Sequence, residues 1–342
     1  MFLRGFSDSM VLRFAQINLV RADWRKYTNS LIRPGEHIPI DPNDLTDFVV
    51  STVNIEENSK RTPIIYTLPP GIIREQDISN PQPVQLNEQS LSLKVCNLKD
   101  GDAKAVFKTT VFDIRNYKKL KMFLHAEGDN LKPGELTAFI RLGTDLTNNY
   151  YEYEIPLTPT AYGTADPNLI WPSVNEISAD IEDFYLAKQN RTSNNVSPTV
   201  PYTMNIGSRK ITVLGLPDLS SVKVIMLGIR NPKRGDDNPL DDALPKCGEV
   251  WFNELRVSDF VNRGGWATTG RVVTKLADFG TLNGSVNYYS VGWGGIDKKL
   301  NERSLKEQLQ LSFASNFELG KFFPVKSGIS IPMFYSYSQN FN

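Results

Sequence analysis

The 342-residue chain carries 38 Lys+Arg against 38 Asp+Glu and has a pI of about 6.8, so it lacks the net basic character that nucleic-acid partners ask for. Its composition, 40% hydrophobic and 11% aromatic, supplies a sizeable core and leans towards β structure, and its length suggests about two domains. No run of about 18 apolar residues is present, which excludes a transmembrane helix but leaves open a transmembrane β-barrel, whose strands alternate and are never apolar in bulk.

The chain opens Met1-Phe-Leu-Arg-Gly-Phe-Ser-Asp, with no basic n-region leading into a continuous apolar h-region. It therefore either stays inside the cell or is a piece of a longer exported chain, and the rest of the sequence favours the second. Residues 1–30 are predicted to hold the terminal strand of a preceding domain, because Leu12, Phe14, Gln16 and Asn18 alternate imperfectly with Val11, Arg13, Ala15 and Ile17. Pro34, Gly35, Pro39 and Pro42 mark residues 31–44 as a linker.

Residues 45–260 are predicted to form a jelly-roll-like β-sandwich. Strands are expected at 48–55, 90–98, 120–126, 136–142, 149–157, 222–229 and 250–257, short and separated by turn signals. In 136–142, Ala138, Ile140 and Leu142 oppose Phe139 and Arg141; in 149–157, Tyr151, Tyr153 and Ile155 oppose Tyr150, Glu152 and Glu154. A helix is expected over 178–189, with acidic residues in its first turn and Lys188 near its end, and with Ile177, Ile181, Phe184 and Tyr185 packed inwards.

Residues 261–342 change character and are predicted to be antiparallel strands of an incomplete outer-membrane β-barrel. Leu309, Leu311, Phe313, Phe317, Ile329, Ile331 and Met333 fall on an apolar, lipid-facing parity; Gln308, Gln310, Asn316 and Ser330 fall on a polar, lumen-facing one. Trp266, Tyr288, Tyr289, Trp293, Phe322, Phe323, Tyr335 and Tyr337 sit near strand ends, as interfacial girdles do. A soluble sheet with one buried face has the same alternation, so period alone leaves both readings open. The strands fall short of the roughly eight that close a barrel, and the chain reads as an internal piece of a longer protein.

Candidate chemistry is thin. His37 and His125 are the only histidines and Cys96 and Cys247 the only cysteines, with no metal-ligand or catalytic spacing around them. The two cysteines could bridge in an oxidising compartment, a free-thiol pair being the plainer expectation. The aspartates of 233–242 read as a solvated loop rather than a calcium site. No catalytic residue, metal or cofactor is therefore expected.

Five runs carry a family resemblance: Gly248-Glu-Val-Trp-Phe-Asn-Glu-Leu-Arg-Val-Ser-Asp-Phe leading into Gly264-Gly-Trp-Ala, Asn87-Glu-Gln-Ser-Leu-Ser-Leu-Lys-Val-Cys-Asn-Leu, Glu152-Tyr-Glu-Ile-Pro-Leu, Leu319-Gly-Lys-Phe-Phe-Pro and Gly328-Ile-Ser-Ile-Pro-Met. They resemble the SprA/Sov family of outer-membrane translocons of the type IX secretion system, linked to gliding motility. The likeness is collinear from about residue 10 to the end, with Gly248, Trp251, Asn253, Glu254, Leu255 and Arg256 as its signature. It implies an outer-membrane location with domains on the periplasmic or cell-surface side. It also implies secreted cargo proteins, a PorV-like barrel, a plug protein and outer-membrane lipid as partners.

The expected function is thus a passive conduit for secreted proteins, without enzymatic activity. The alternative is a surface carbohydrate- or protein-binding sandwich in which Tyr150, Tyr151, Tyr153 and Trp171 stack on sugar rings, although Tyr151 and Tyr153 are better read as core residues beside Ile155. A glycoside hydrolase built on Glu152 and Glu154 is a more distant rival, because alternating glutamates are ordinary on a solvent face.

Overall fold

The computed structural model describes residues 23–32, 39–40, 43–77, 84–235, 242–261, 264–298, 302–304 and 306–341. The protein is mainly β, 48% strand and 11% helix. Its first elements are β1 (Arg25–Lys26), β2 (Asp47–Asn54), α1 (Ile55–Asn58), β3 (Gln76–Asp77), β4 (Val84–Gln85), β5 (Gln89–Leu98), β6 (Ala103–Phe112) and β7 (Tyr117–Glu127). There follow β8 (Thr137–Gly143), β9 (Tyr150–Pro156), α2 (Pro167–Ile170), β10 (Ile177–Asp180), α3 (Ile181–Ser193), β11 (Tyr202–Ile206), β12 (Arg209–Leu214), β13 (Val222–Arg230) and β14 (Lys246–Phe260). The last are β15 (Ala267–Leu276), β16 (Gly280–Tyr289), β17 (Gln308–Glu318) and β18 (Pro332–Phe341). Contacts divide the chain into two compact units, Met1–Arg115 with Lys119–Ser258 and Asn116–Lys118 with Asp259–Asn342.

The first unit is a sandwich. A seven-stranded sheet runs β1-β6-β13-β8-β9-β12-β11 and a five-stranded sheet runs β10-β7-β14-β5-β2, while β3 and β4 form a separate hairpin. Successive strands place alternate side chains on opposite faces. Ala138, Ile140 and Leu142 of β8 and Tyr151, Tyr153 and Ile155 of β9 thus meet Leu93 and Val95 of β5 and Leu120, Met122 and Leu124 of β7 in one core. These are the faces the alternation predicts.

Departures from the sequence reading have local causes. The helix begins at Ile181 rather than 178, because Ile177–Asp180 pairs with β7 as an edge strand and turns Ile177 and Ala179 into the core. Phe184 is buried, but Tyr185 is 43% exposed, since neighbouring helix positions point about 100° apart. The strand β6 is hidden in the sequence by its lysines, one of which, Lys104, is neutralised by Asp44 at 2.6 Å and Asp102 at 3.3 Å.

Asp44 was expected in a linker, and is tied into the sandwich by that contact. Residues 10–22 of the predicted preceding-domain strand lie outside the described residues. The described part of this region, Arg25–Lys26, pairs with Phe107 and Val106 of β6, and Tyr27 and Leu31 pack against Ala105, Phe139 and Met226. These residues complete the larger sheet because its outer face is apolar there and needs cover.

Cys96 and Cys247 are joined in a disulfide, which settles the open question of the thiols. The bridge links the neighbouring strands β5 and β14 across 151 residues of sequence, and such bonds persist in oxidising compartments. Cys247→Ser should lower the unfolding free energy by about 2–5 kcal/mol, because the long loop is no longer closed in the unfolded chain. Urea titration followed by tryptophan fluorescence should show this loss, with dithiothreitol bringing the parent protein down to the variant.

The Asp44 carboxyl is raised by burial, but hydrogen bonds from Lys104 and Thr46 outweigh that and hold it at about 2. A carboxylate held below its ordinary value contributes stability above that value and loses it as pH falls through the folded one. Stability should therefore decline from about pH 3.8 down to about pH 2, and Asp44→Asn should flatten that limb of an acid-unfolding curve.

Candidate functional site

The second unit is an antiparallel sheet of order β15-β16-β17-β18. Its register aligns side chains in rows. Val272, Gly284, Phe313 and Tyr337 stand abreast, as do Gly270, Val286, Leu311 and Gln339, and Leu276, Gly280, Phe317 and Met333. With Leu309 they make one mainly apolar face. The opposite face carries Thr269, Asn287, Gln310 and Asn340, then Arg271, Ser285, Ser312 and Ser338, then Lys275, Thr281, Asn316 and Phe334. Gln308, opposite Tyr289, shares that parity. Val273 and Phe334 interrupt the polar face.

Both faces are open. On the apolar face Val272 is 66% exposed, Tyr335 53% and Phe313 40%, values foreign to a packed core. A hollow of about 480 Å³ lies at the middle of the sheet, lined mostly from the polar side by Thr269, Arg271, Asn283, Asn287, Ser312 and Ser338, with Phe313 and Tyr337 also reaching it. Rings gather at both ends of the sheet. Trp266 packs on Tyr288 with centroids 4.6 Å apart, and at the other end Phe279 meets Phe317 at 5.3 Å and Phe322 at 5.0 Å.

Ile329, Ser330 and Ile331 lie ahead of β18 rather than within it. The Glu318 carboxylate there takes the place of a strand partner: Ser330 Oγ donates to its Oε1 at 3.0 Å and the Ile331 backbone N–H at 2.7 Å. Gly328, at φ +63, turns the chain before Pro332 starts the strand.

In the sandwich, Glu152 and Glu154 are buried, which corrects the solvent-face expectation. Arg141 Nε and Nη2 both donate to Glu152 Oε2, at 2.9 and 2.6 Å, and Arg230 Nη1 reaches Glu152 Oε1 at 3.0 Å and also Glu154. Thr137 Oγ1 donates to Glu154 at 2.8 Å. Arg141 is the direct cross-strand partner of Glu152, so the pairing follows from register. The two carboxylates are occupied as acceptors rather than poised across a sugar. Tyr150, Tyr151, Tyr153 and Trp171 are likewise buried and present no stacking platform.

The signature run lies on β14 and is structural in its contacts. A Cβ on Gly248 would come within 2.7 Å of Leu136 Cδ1 and 3.2 Å of the Glu127 carbonyl oxygen, so a side chain there would oblige Leu136 to shift. Trp251 is fully buried beside Tyr66, Ile170 and Trp171, lies 4.0 Å from the His125 ring, and donates from Nε1 to Glu249 Oε1 at 2.8 Å. Asn253 Nδ2 donates to Glu88 Oε1 at 2.6 Å. Glu254 has φ +52, Leu255 packs on the main core, and the Arg256 guanidinium sits 4.4 Å from the Phe123 centroid.

His125 is buried, and its Nδ1 donates to the Ile170 carbonyl at 2.8 Å. Burial raises the neighbouring Glu127 carboxyl, but the His125 ring and the Arg61 guanidinium outweigh this and hold it below the usual range. Arg61 bridges Glu127 at 2.6 Å and Glu249 at 2.8 Å. These buried charges carried no spacing signal in the sequence, because their partners come from different strands. His37 and the acidic stretch 236–241 lie outside the described residues. Among the described residues, no group of three or more His, Cys, Asp or Glu is placed to hold a metal.

A sandwich followed by a two-faced antiparallel sheet thus defines a β-rich protein. The chain belongs to the SprA_N family, described as motility related/secretion protein, whose profile matches residues 1–342. That membership fits a location in the cell envelope. A search of curated proteins finds no match.

Glu152→Gln should destabilise the sandwich by about 3–5 kcal/mol, because it strips a buried guanidinium pair of a charged partner. Urea unfolding monitored at Trp251 should read that loss; a change within error would show that the network contributes little.

Proposed function

We propose that this secretion- and motility-related chain is part of an outer-membrane protein-export channel, with β15–β18 forming a stretch of its wall. The carrying observation is the register that gathers exposed apolar side chains on one face and hydroxyls and amides on the other. A barrel wall is polar towards its lumen and apolar towards lipid. The dimensions agree. Ten residues of β15 at about 3.4 Å each, tilted by about 40°, span about 26 Å, against an apolar band of about 25 Å.

In this reading Leu309, Leu311, Phe313, Phe317 and Met333 face lipid, with Ile329 and Ile331 at the rim. Gln308, Gln310 and Asn316 line the lumen, with Ser330 at its edge. Short hydroxyl and amide side chains form weak, replaceable hydrogen bonds, so a passing polypeptide is wetted without being held. The preceding sandwich reads as a jelly roll, because β5-β14-β7-β10 faces β6-β13-β8-β9 with β11 and β12 added at one edge. Its disulfide agrees with an envelope location. Secreted cargo, a PorV-like barrel and a plug protein are the partners that the family resemblance suggests.

Nitroxide labels test the wall assignment in the full-length protein in bilayers. A label replacing Phe313 should be relaxed by lipid-dissolved oxygen, and one replacing Gln310 by a water-soluble nickel complex. A Phe313 label shielded from both, buried against protein, would make the segment a soluble sheet.

A further inference from the structure

The two ends of the four-stranded sheet are built differently, and the geometry points to its sidedness across the membrane: the end carrying 290–307 faces the cell exterior, and the end carrying 277–279 and 319–331 faces the periplasm. This rests on the barrel-wall reading and goes beyond it, since an apolar band says nothing about which end is out.

Antiparallel pairing puts Ala267, Tyr289 and Gln308 together at one end, and Leu276, Gly280, Phe317 and Met333 at the other. At the first end β16 passes to β17 through eighteen residues, 290–307. The described flanks of that connection pair with each other: Gly292 N–H donates to the Ser304 carbonyl at 2.7 Å and Ser304 N–H to the Trp293 carbonyl at 2.8 Å. Between them, Ile296 is fully exposed.

At the second end β15 turns into β16 in three residues, 277–279, with Ala277 in the left-handed region at φ +43 and Phe279 N–H donating to the Leu276 carbonyl at 2.9 Å. The connection 319–331 stays close to the sheet. Leu319 N–H donates to the Ile331 carbonyl at 2.8 Å, and two short 3₁₀ turns lie between, with Val325 fully exposed at their tip. Outer-membrane barrels keep short turns on the periplasmic side and longer loops outside. The polypeptide therefore enters β15 from the exterior.

The test places single cysteines at the two tips, Ile296→Cys and Val325→Cys, in the native protein in intact cells. The native cysteines are joined to each other and leave little background. A membrane-impermeant maleimide should label Ile296→Cys fully on intact cells, whereas labelling of Val325→Cys should rise several-fold only after the outer membrane is permeabilised. The reverse pattern would overturn the sidedness while leaving the wall assignment standing. Equal labelling of both sites on intact cells, unchanged by permeabilisation, would mean that the sheet does not span and would overturn both. If a cysteine variant fails to accumulate, a protease-cleavage sequence inserted between Ile296 and Asp297, or between Val325 and Lys326, reads the same sides through cleavage on whole cells.

Discussion

Antiparallel register is the constraint on which both units depend. Side chains alternate with a period of two, so a slip of one residue would move every apolar group of a strand to the wrong face. In β15–β18 one register brings Val272, Phe313 and Tyr337 abreast on one side and Arg271, Ser285, Ser312 and Ser338 on the other. In β8 and β9 the same rule sends Ile140 and Tyr153 into the sandwich core and sets Arg141 opposite Glu152 on the outer face.

Buried charges recur on both sheets of the sandwich. A guanidinium or carboxylate taken out of water costs several kcal/mol unless it is paired and hydrogen-bonded. Arg141 and Arg230 share Glu152, Arg61 joins Glu127 to Glu249, and Lys104 lies between Asp44 and Asp102. Each group meets a partner from another strand or from a preceding segment, so every pair depends on the sheets being assembled as they are. On β14, Trp251 packs against Tyr66 and Trp171, and Asn253 Nδ2 donates to the Tyr66 hydroxyl and to Glu88 Oε1.

The two units divide the work of an envelope protein. The sandwich is a closed core with a covalent link between neighbouring strands, suited to an oxidising space. The four-stranded sheet leaves its apolar face uncovered and ends in aromatic clusters. As a member of a secretion and motility family, the chain combines a folded module with a sheet whose apolar face is exposed, which is the basis of the channel-wall proposal.

Much of this was legible in the residues. Alternation predicted β5, β8 and β9 and the inward faces of β8 and β9, and short β-branched or apolar runs bounded by turn signals predicted β2, β7, β13 and β14, because both are local properties of the chain. Alternation also sorted Leu311 and Phe313 from Gln310 and Ser312. Three features needed the tertiary structure. The helix start moved because Ile177–Asp180 found a partner strand in β7, and Ile329 and Ile331 fell outside β18 because the Glu318 side chain took up the backbone there. The disulfide and the buried ion pairs join residues 151 and 78 positions apart, as for Cys96–Cys247 and Glu152–Arg230. Sequence by itself determined which side chains share a face of each strand; only the fold decided what each face meets, because partners in a sheet are chosen by topology and not by neighbourhood along the chain.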